Sequence, residues 1–143
     1  MKPEAFWDSS ALVPICVDLQ TNPEIDSLFQ QFEIVVWWAA AVEIQSGLAR
    51  LQGMQQLNSS GFENGQVRLT ELKDKWQEIE PSASLRDLAE QLPVQYSLRA
   101  ADALQLAAAS TWTMHRPANR PLISGDQRLL EAARQMGFRA ISV

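Results

Sequence analysis

Four carboxylates stand where a folded chain would bring them together. Asp8 closes the apolar run Ala5-Phe6-Trp7, and Glu43 lies shortly after Ile34-Val35-Val36-Trp37. Asp102 is the only charge from Ala100 through Met114, and Asp126 follows Leu122-Ile123-Ser124 by two residues. Gathered in one place, such acids repel one another and some are driven to take up protons. A divalent cation relieves that pressure, and an all-oxygen donor set without His or Cys suits Mg²⁺ or Mn²⁺. Ions of this kind bind phosphate oxygens and generate hydroxide from water. The chemistry expected of the set is therefore phosphodiester hydrolysis with no protein nucleophile.

Each acid also has a purely structural reading. Asp126 fits a helix N-cap. Asp8 fits a strand end that assists a cap at Ser9 or Ser10. Glu43 fits a first-turn acid facing the helix dipole, and Asp102 fits half of a buried ion pair with Arg99. The chemical reading rests on the four together.

These residues need a scaffold, and the apolar pattern predicts one. Ala5–Trp7 and Ile34–Trp37 read as strands, the second continuous and β-branched as in a sheet buried on both faces. Ser9 and Ser10 predict a serine-capped helix over Ala11-Leu12-Val13. Asn22-Pro23-Glu24 predicts a capped helix through Ile25, Leu28, Phe29 and Phe32. A helix is expected from Ala39 to about Leu57, followed by a break at Asn58-Ser59-Ser60-Gly61. Helices are expected over about Glu63–Glu78, Leu85–Leu92 and Ser97–Met114, the last apolar nearly all round. Leu122–Ser124 reads as a strand, Leu129 to Met136 as a helix ended by Gly137, and Phe138–Val143 as a final strand. Strands alternating with helices argue for a parallel α/β sheet of about four to five strands with helices on both faces. In such sheets function sits beyond the carboxyl ends of the strands, where Asp8, Glu43 and Asp126 would converge.

The 143 residues are 46% hydrophobic and 20% charged, which fits one folded domain over 1–143 and excludes disorder and low-complexity arrays. One cysteine, Cys16, and one histidine, His115, exclude an internal disulfide and Cys/His zinc sites. A net charge of −5 argues against nonspecific coating of nucleic acid, though not against an enzyme that recruits metal ions. No apolar run is long enough to span a bilayer, and Met1-Lys2-Pro3-Glu4 lacks the order of a signal peptide. A cytoplasmic protein is expected.

With these residues in view, the chain resembles the PIN-domain ribonucleases, in particular the VapC-type toxins of bacterial toxin–antitoxin pairs. Trp7-Asp8-Ser9-Ser10-Ala11-Leu12-Val13 is similar to the family's opening strand and first acid. Ala41-Val42-Glu43-Ile44-Gln45-Ser46-Gly47-Leu48-Ala49-Arg50 resembles the segment around the second. Leu98-Arg99-Ala100-Ala101-Asp102-Ala103-Leu104-Gln105-Leu106-Ala107 resembles the third, and Leu122-Ile123-Ser124-Gly125-Asp126-Gln127-Arg128-Leu129-Leu130 the last. Pro14 stands where members often carry a basic residue. The resemblance implies a PIN-like α/β fold and an endoribonuclease dependent on Mg²⁺ or Mn²⁺. Asp8, Glu43, Asp102 and Asp126 would be both its catalytic and its metal-binding acids, and Ser10 a supporting contact. It also implies an RNA substrate, a homodimer and a VapB-like antitoxin. Arg50, Arg99, Arg116 and Arg120 are RNA-contact candidates, the first two foremost.

A second class of function is a PIN-like module that binds RNA or protein without cutting. A third, an aspartyl-phosphate enzyme, lacks support. Asp8-Ser9-Ser10 has no second Asp of the phosphatase pattern, and no lysine follows Lys75. Neither glycine pattern of a Rossmann or P-loop site occurs. Elsewhere Cys16 is expected in the core, Trp37-Trp38 as a packed strand-end pair, and His115 at a helix C-terminus.

Overall fold

The computed structural model describes residues 1–17 and 22–143. In chain order its elements are β1 (Glu4–Trp7), α1 (Ser9–Cys16), α2 (Pro23–Gln31), β2 (Glu33–Trp37), α3 (Ala40–Gly53), α4 (Ser59–Lys73), β3 (Gln77–Ile79), α5 (Ala83–Tyr96), α6 (Ala100–Trp112), β4 (Pro121–Ser124), α7 (Gln127–Met136) and β5 (Arg139–Ser142). The strands form one sheet in the order β3-β2-β1-β4-β5, and every pairing is parallel. The expected α/β architecture is the one observed.

Alternation along the strands divides the core into two layers. Phe6, Val35, Trp37 and Leu122 face α5, α6 and α7, where Leu85, Leu92, Leu106 and Leu129 complete a buried layer. Ala5, Trp7, Ile34, Val36 and Ile123 face the opposite way, onto Leu12, Ile44, Leu48 and Leu69 of α1, α3 and α4. Strands buried on both faces must be apolar at every position, which is why they read as continuous runs. The central strand β1 pairs with both β2 and β4. Among the described residues no helix is long and apolar enough to cross a membrane.

Several boundaries differ from expectation. No serine caps α1: the N-cap is Asp8, and its side chain accepts no cap hydrogen bond. α3 stops at Gly53, and Gln55 takes the left-handed conformation with φ 60°. The segment read as a break begins a helix instead: Asn58 Oδ1 accepts from Gly61 N at 2.7 Å and caps α4. Residues read as the end of that helix form β3, an edge strand of three residues too short and polar to show the alternation. α5 extends to Tyr96, carrying Pro93, and Ser97 closes it in the left-handed conformation, so α6 starts only at Ala100. The tryptophan pair divides. Trp37 ends β2 and is buried, whereas Trp38 steps into the turn and is 52% exposed. Cys16 is buried, and burial pushes its thiol up to about 11, so it stays an unreactive part of the core.

Candidate active site

The carboxyl ends of β1, β2 and β4 deliver three of the acids, and α6 delivers the fourth. Asp8 follows β1 directly. Glu43 sits in the first turn of α3, the helix that follows β2. Asp126 is the N-cap of α7, two residues past β4. Asp102 lies in the first turn of α6. The sheet order places β1 between β2 and β4, so Asp8 occupies the middle of this edge.

Asp8 is 5% exposed and rigidly held. Its Oδ2 accepts from Ser10 Oγ at 2.6 Å and from Ser124 Oγ at 2.8 Å. Those hydroxyls are themselves oriented by backbone donors. Gly125 N donates to Ser10 Oγ at 2.9 Å, and Asp126 N to Ser124 Oγ at 2.9 Å. The loop after β4 is thereby stitched to the loop after β1, and two proton donors converge on one carboxylate oxygen. Burial raises the Asp8 pKa above the usual carboxylate range; the hydroxyls of Ser10 and Ser124 oppose that rise and the charge of Asp126 adds to it. Replacing Ser124 with Ala removes one of these donors and strands the Asp126 N–H. It is expected to cost about 1–3 kcal/mol, read as a Tm lower by several degrees in a thermal melt; an unchanged Tm would show that the stitch carries no stability.

Glu43 reaches across to α6, where Gln105 Nε2 donates to its Oε1 at 2.5 Å. Burial lifts Glu43 to about 7; Asp8 and Asp102 push the same way, and hydrogen bonds from Gln105 and Ser9 pull back. Gln105 is 1% exposed, and its Oε1 has no hydrogen-bond partner among the described residues. Asp102 is half-buried and forms no hydrogen bond or ion pair with any described residue. The structural alternative for Asp102, an ion pair with Arg99, is therefore not made. Arg99 is the exposed N-cap of α6, and it acts on Asp102 only through its field. Asp102 is raised to about 6: burial pushes it up most, Asp126 and Asp8 add to the rise, and Arg99 with Arg128 work against them.

Asp126 does serve as a cap: its Oδ1 accepts from Arg128 N at 2.9 Å and Leu129 N at 3.2 Å. Its Oδ2 has no hydrogen bond to a described residue and stays available. The capping and chemical readings of Asp126 are compatible because they use different oxygens.

The four acids thus share one electrostatic field, each acting on at least one other. They do not yet form a coordination shell. Among the described residues no three His, Cys, Asp or Glu side chains stand close enough to hold a metal ion as arranged. The donor chemistry still fits a hard divalent cation. Like charges are crowded, three carboxyls are raised above their usual range, and Asp102 and Asp126 retain unbonded oxygens.

Outside the acids, Arg50 lies in the last turn of α3, about 10 Å along the axis from Glu43 at 1.5 Å per residue. Arg120 stacks on Trp112, its guanidinium carbon 4.3 Å from the ring centroid, and Arg116 is exposed. His115 follows α6 and places Nδ1 3.0 Å from Ser110 Oγ. Sequence reasoning missed Ser9, Ser124, Gln105 and Arg128. Ser124 carried a legible signal, as a small polar residue ending an otherwise buried apolar strand two residues before an acid.

No family model matches the chain, and no curated protein matches it in sequence. Solved structures do. A protein from Pyrobaculum aerophilum superposes with a TM-score of 0.68 at 15% identity, covering 99% of this chain and 91% of its own. FitAcB from Neisseria gonorrhoeae gives 0.65 at 16%, covering 96% of each chain. A toxin–antitoxin complex from Klebsiella pneumoniae gives 0.60 at 18%, covering 86% of this chain and 87% of the other. The fold is PIN-like. At such identities the likeness concerns the PIN-like scaffold, so the acids have to be judged on their own geometry.

Proposed function

We propose that this protein is a metal-dependent endoribonuclease and the toxin of a toxin–antitoxin pair of the VapBC type. The observation that carries the reading is the mutual field of Asp8, Glu43, Asp102 and Asp126 at the carboxyl edge of a parallel sheet, with no nucleophilic Ser–His or Cys–His pair beside it. The likeness to a toxin–antitoxin complex supports the biological half. The four acids would hold Mg²⁺ or Mn²⁺, which when bound supplies charge neutralisation at the phosphate and an activated water. Asp8 is positioned by Ser10 and Ser124 so that one oxygen is committed and its direction is set. Glu43, lifted to about 7 by burial in the metal-free protein, would give up its proton when it holds the cation. Under this reading the partners are RNA, a second copy of the chain and an antitoxin, and the location is cytoplasmic.

The test is incubation of purified protein with a total RNA pool in Mg²⁺ or Mn²⁺, with EDTA and Asp8→Asn controls. Cleavage lost in both controls is expected. Cleavage that survives Asp8→Asn overturns the site. A folded wild type that binds RNA and never cuts it favours the second reading, a silent RNA-binding module on the same fold.

A further inference from the structure

A groove of about 510 Å³ opens between the end of α5 and the outer face of α7, lined by Tyr96, Ser97, Gln127, Arg128, Glu131 and Gln135. Both of its walls continue into acids. Ser97 leads through Arg99 to Asp102 in the first turn of α6, and Gln127 follows Asp126 directly. The groove therefore begins where the carboxylate cluster ends. Arg128 stands at that junction, exposed and within electrostatic reach of Asp102.

Its composition is that of a nucleotide site rather than an apolar ligand pocket. Tyr96 offers a half-buried aromatic side chain, and Ala132 shares the lining. Ser97, Gln127 and Gln135 make the lining polar, with Gln127 Nε2 already donating to Ser142 Oγ at 3.1 Å. Glu131 is already engaged by Arg134 at 3.6 Å and by Gln135 Nε2 at 3.2 Å, so its charge is partly answered within α7. A carboxylate inside the groove repels phosphate and accepts from exocyclic amino groups. Arg128 at the acid-facing end has the opposite preference. Charge thus sorts the two halves of a nucleotide: phosphate toward Arg128 and the acids, base toward Tyr96.

Resting on the endoribonuclease reading above, we infer that this groove holds the unstacked base of the nucleotide flanking the scissile phosphate, with Tyr96 as its stacking platform and Arg128 as its phosphate contact. A base turned into this slot has left its stack, and a base bearing an amino group is preferred there because Glu131 accepts from it.

The test compares wild type, Tyr96→Ala, Tyr96→Phe and Arg128→Gln on short single-stranded RNA oligonucleotides. Cleavage kinetics are measured in Mn²⁺. Anisotropy of a fluorescent oligonucleotide is measured on the same substitutions in an Asp8→Asn background, with a melting curve confirming each fold. Loss of one stacked base is expected to raise KM and Kd about 5- to 100-fold in Tyr96→Ala with kcat little changed, and Tyr96→Phe restores both. Arg128→Gln weakens binding and lowers the salt slope by about one phosphate contact. Wild-type cleavage with KM and Kd unmoved in folded Tyr96→Ala and Arg128→Gln overturns the groove alone. RNA binding sensitive to both, without cleavage by wild type, overturns the nuclease and keeps the groove as a base site. Neither binding nor cleavage overturns both.

Discussion

Asp102→Asn is expected to raise the Tm of the metal-free protein by a few degrees while lowering metal-dependent RNA cleavage by about 100-fold or more. Most substitutions of a partly buried charge destabilise, so the direction is diagnostic. Asp102 has no hydrogen bond or ion pair to lose among the described residues. Its surroundings act on its charge in two opposed ways. Burial, Asp126 and Asp8 disfavour the anion, and Arg99 and Arg128 favour it. The balance lifts the group to about 6, so the unfavourable side wins. Asparagine keeps the shape and removes the charge. One kcal/mol moves the Tm of a domain this size by about 2–4 °C, and the exposed half of the side chain keeps the gain small. The activity loss is at least that seen when supporting groups of a metal site are removed, about 10- to 100-fold, because Asp102 would be a ligand. Calorimetry in EDTA at pH 7.5, beside a cleavage assay, reads both. A lower Tm would make Asp102 a structural charge, and retained cleavage would remove it from the site.

The second large effect is on pH. Glu43, Asp102 and Asp8 all have folded pKa values above their unfolded ones. Between the ordinary carboxylate range and about 7 the folded protein therefore holds more protons than the unfolded chain. Stability from these groups is complete at low pH and is lost as pH rises through about 6 for Asp102 and about 7 for Glu43. Under the proposed reading Mn²⁺ would bind the ionised acids and so act in the opposite sense, strongly above pH 7 and hardly below pH 5. Melting curves from pH 5 to 8 in EDTA should show Tm falling. The same series in Mn²⁺ should be flat or rising. A Tm that climbs from pH 5 to 7 in EDTA would mean that the acids are not crowded as described.

What could be read in advance followed from how each feature is encoded. β1, β2 and β4 were legible because double-sided burial forces unbroken apolar runs, and α2 because Asn22 accepts from Glu24 N and Ile25 N ahead of Pro23. Asp8, Glu43 and Asp126 could be placed from the strand ends they follow, and Asp102 stood out as the single charge of an otherwise apolar helix. β3 was not legible, since three half-exposed residues on a sheet edge need no pattern. The end of α3 was hidden because Gln55, a residue with no turn preference, takes the left-handed conformation usually left to glycine. Asp8 looked like an accessory to a serine cap, and the roles are reversed: the serine serves the aspartate. That reversal depends on Ser124, 116 residues away, and no local rule reaches so far.

The same long connection governs the order in which the molecule can become active. β1 leaves the ribosome well before β4, yet it is the middle of the sheet and pairs with β4. Until residues 121–126 emerge, Asp8 lacks Ser124, and Asp126 does not exist. A nascent chain can settle the layer around β1, β2, α1 and α3 while its chemistry stays unassembled. Translation therefore completes this edge late: a chain made only as far as α6 carries Asp8, Glu43 and Asp102 but neither Ser124 nor Asp126.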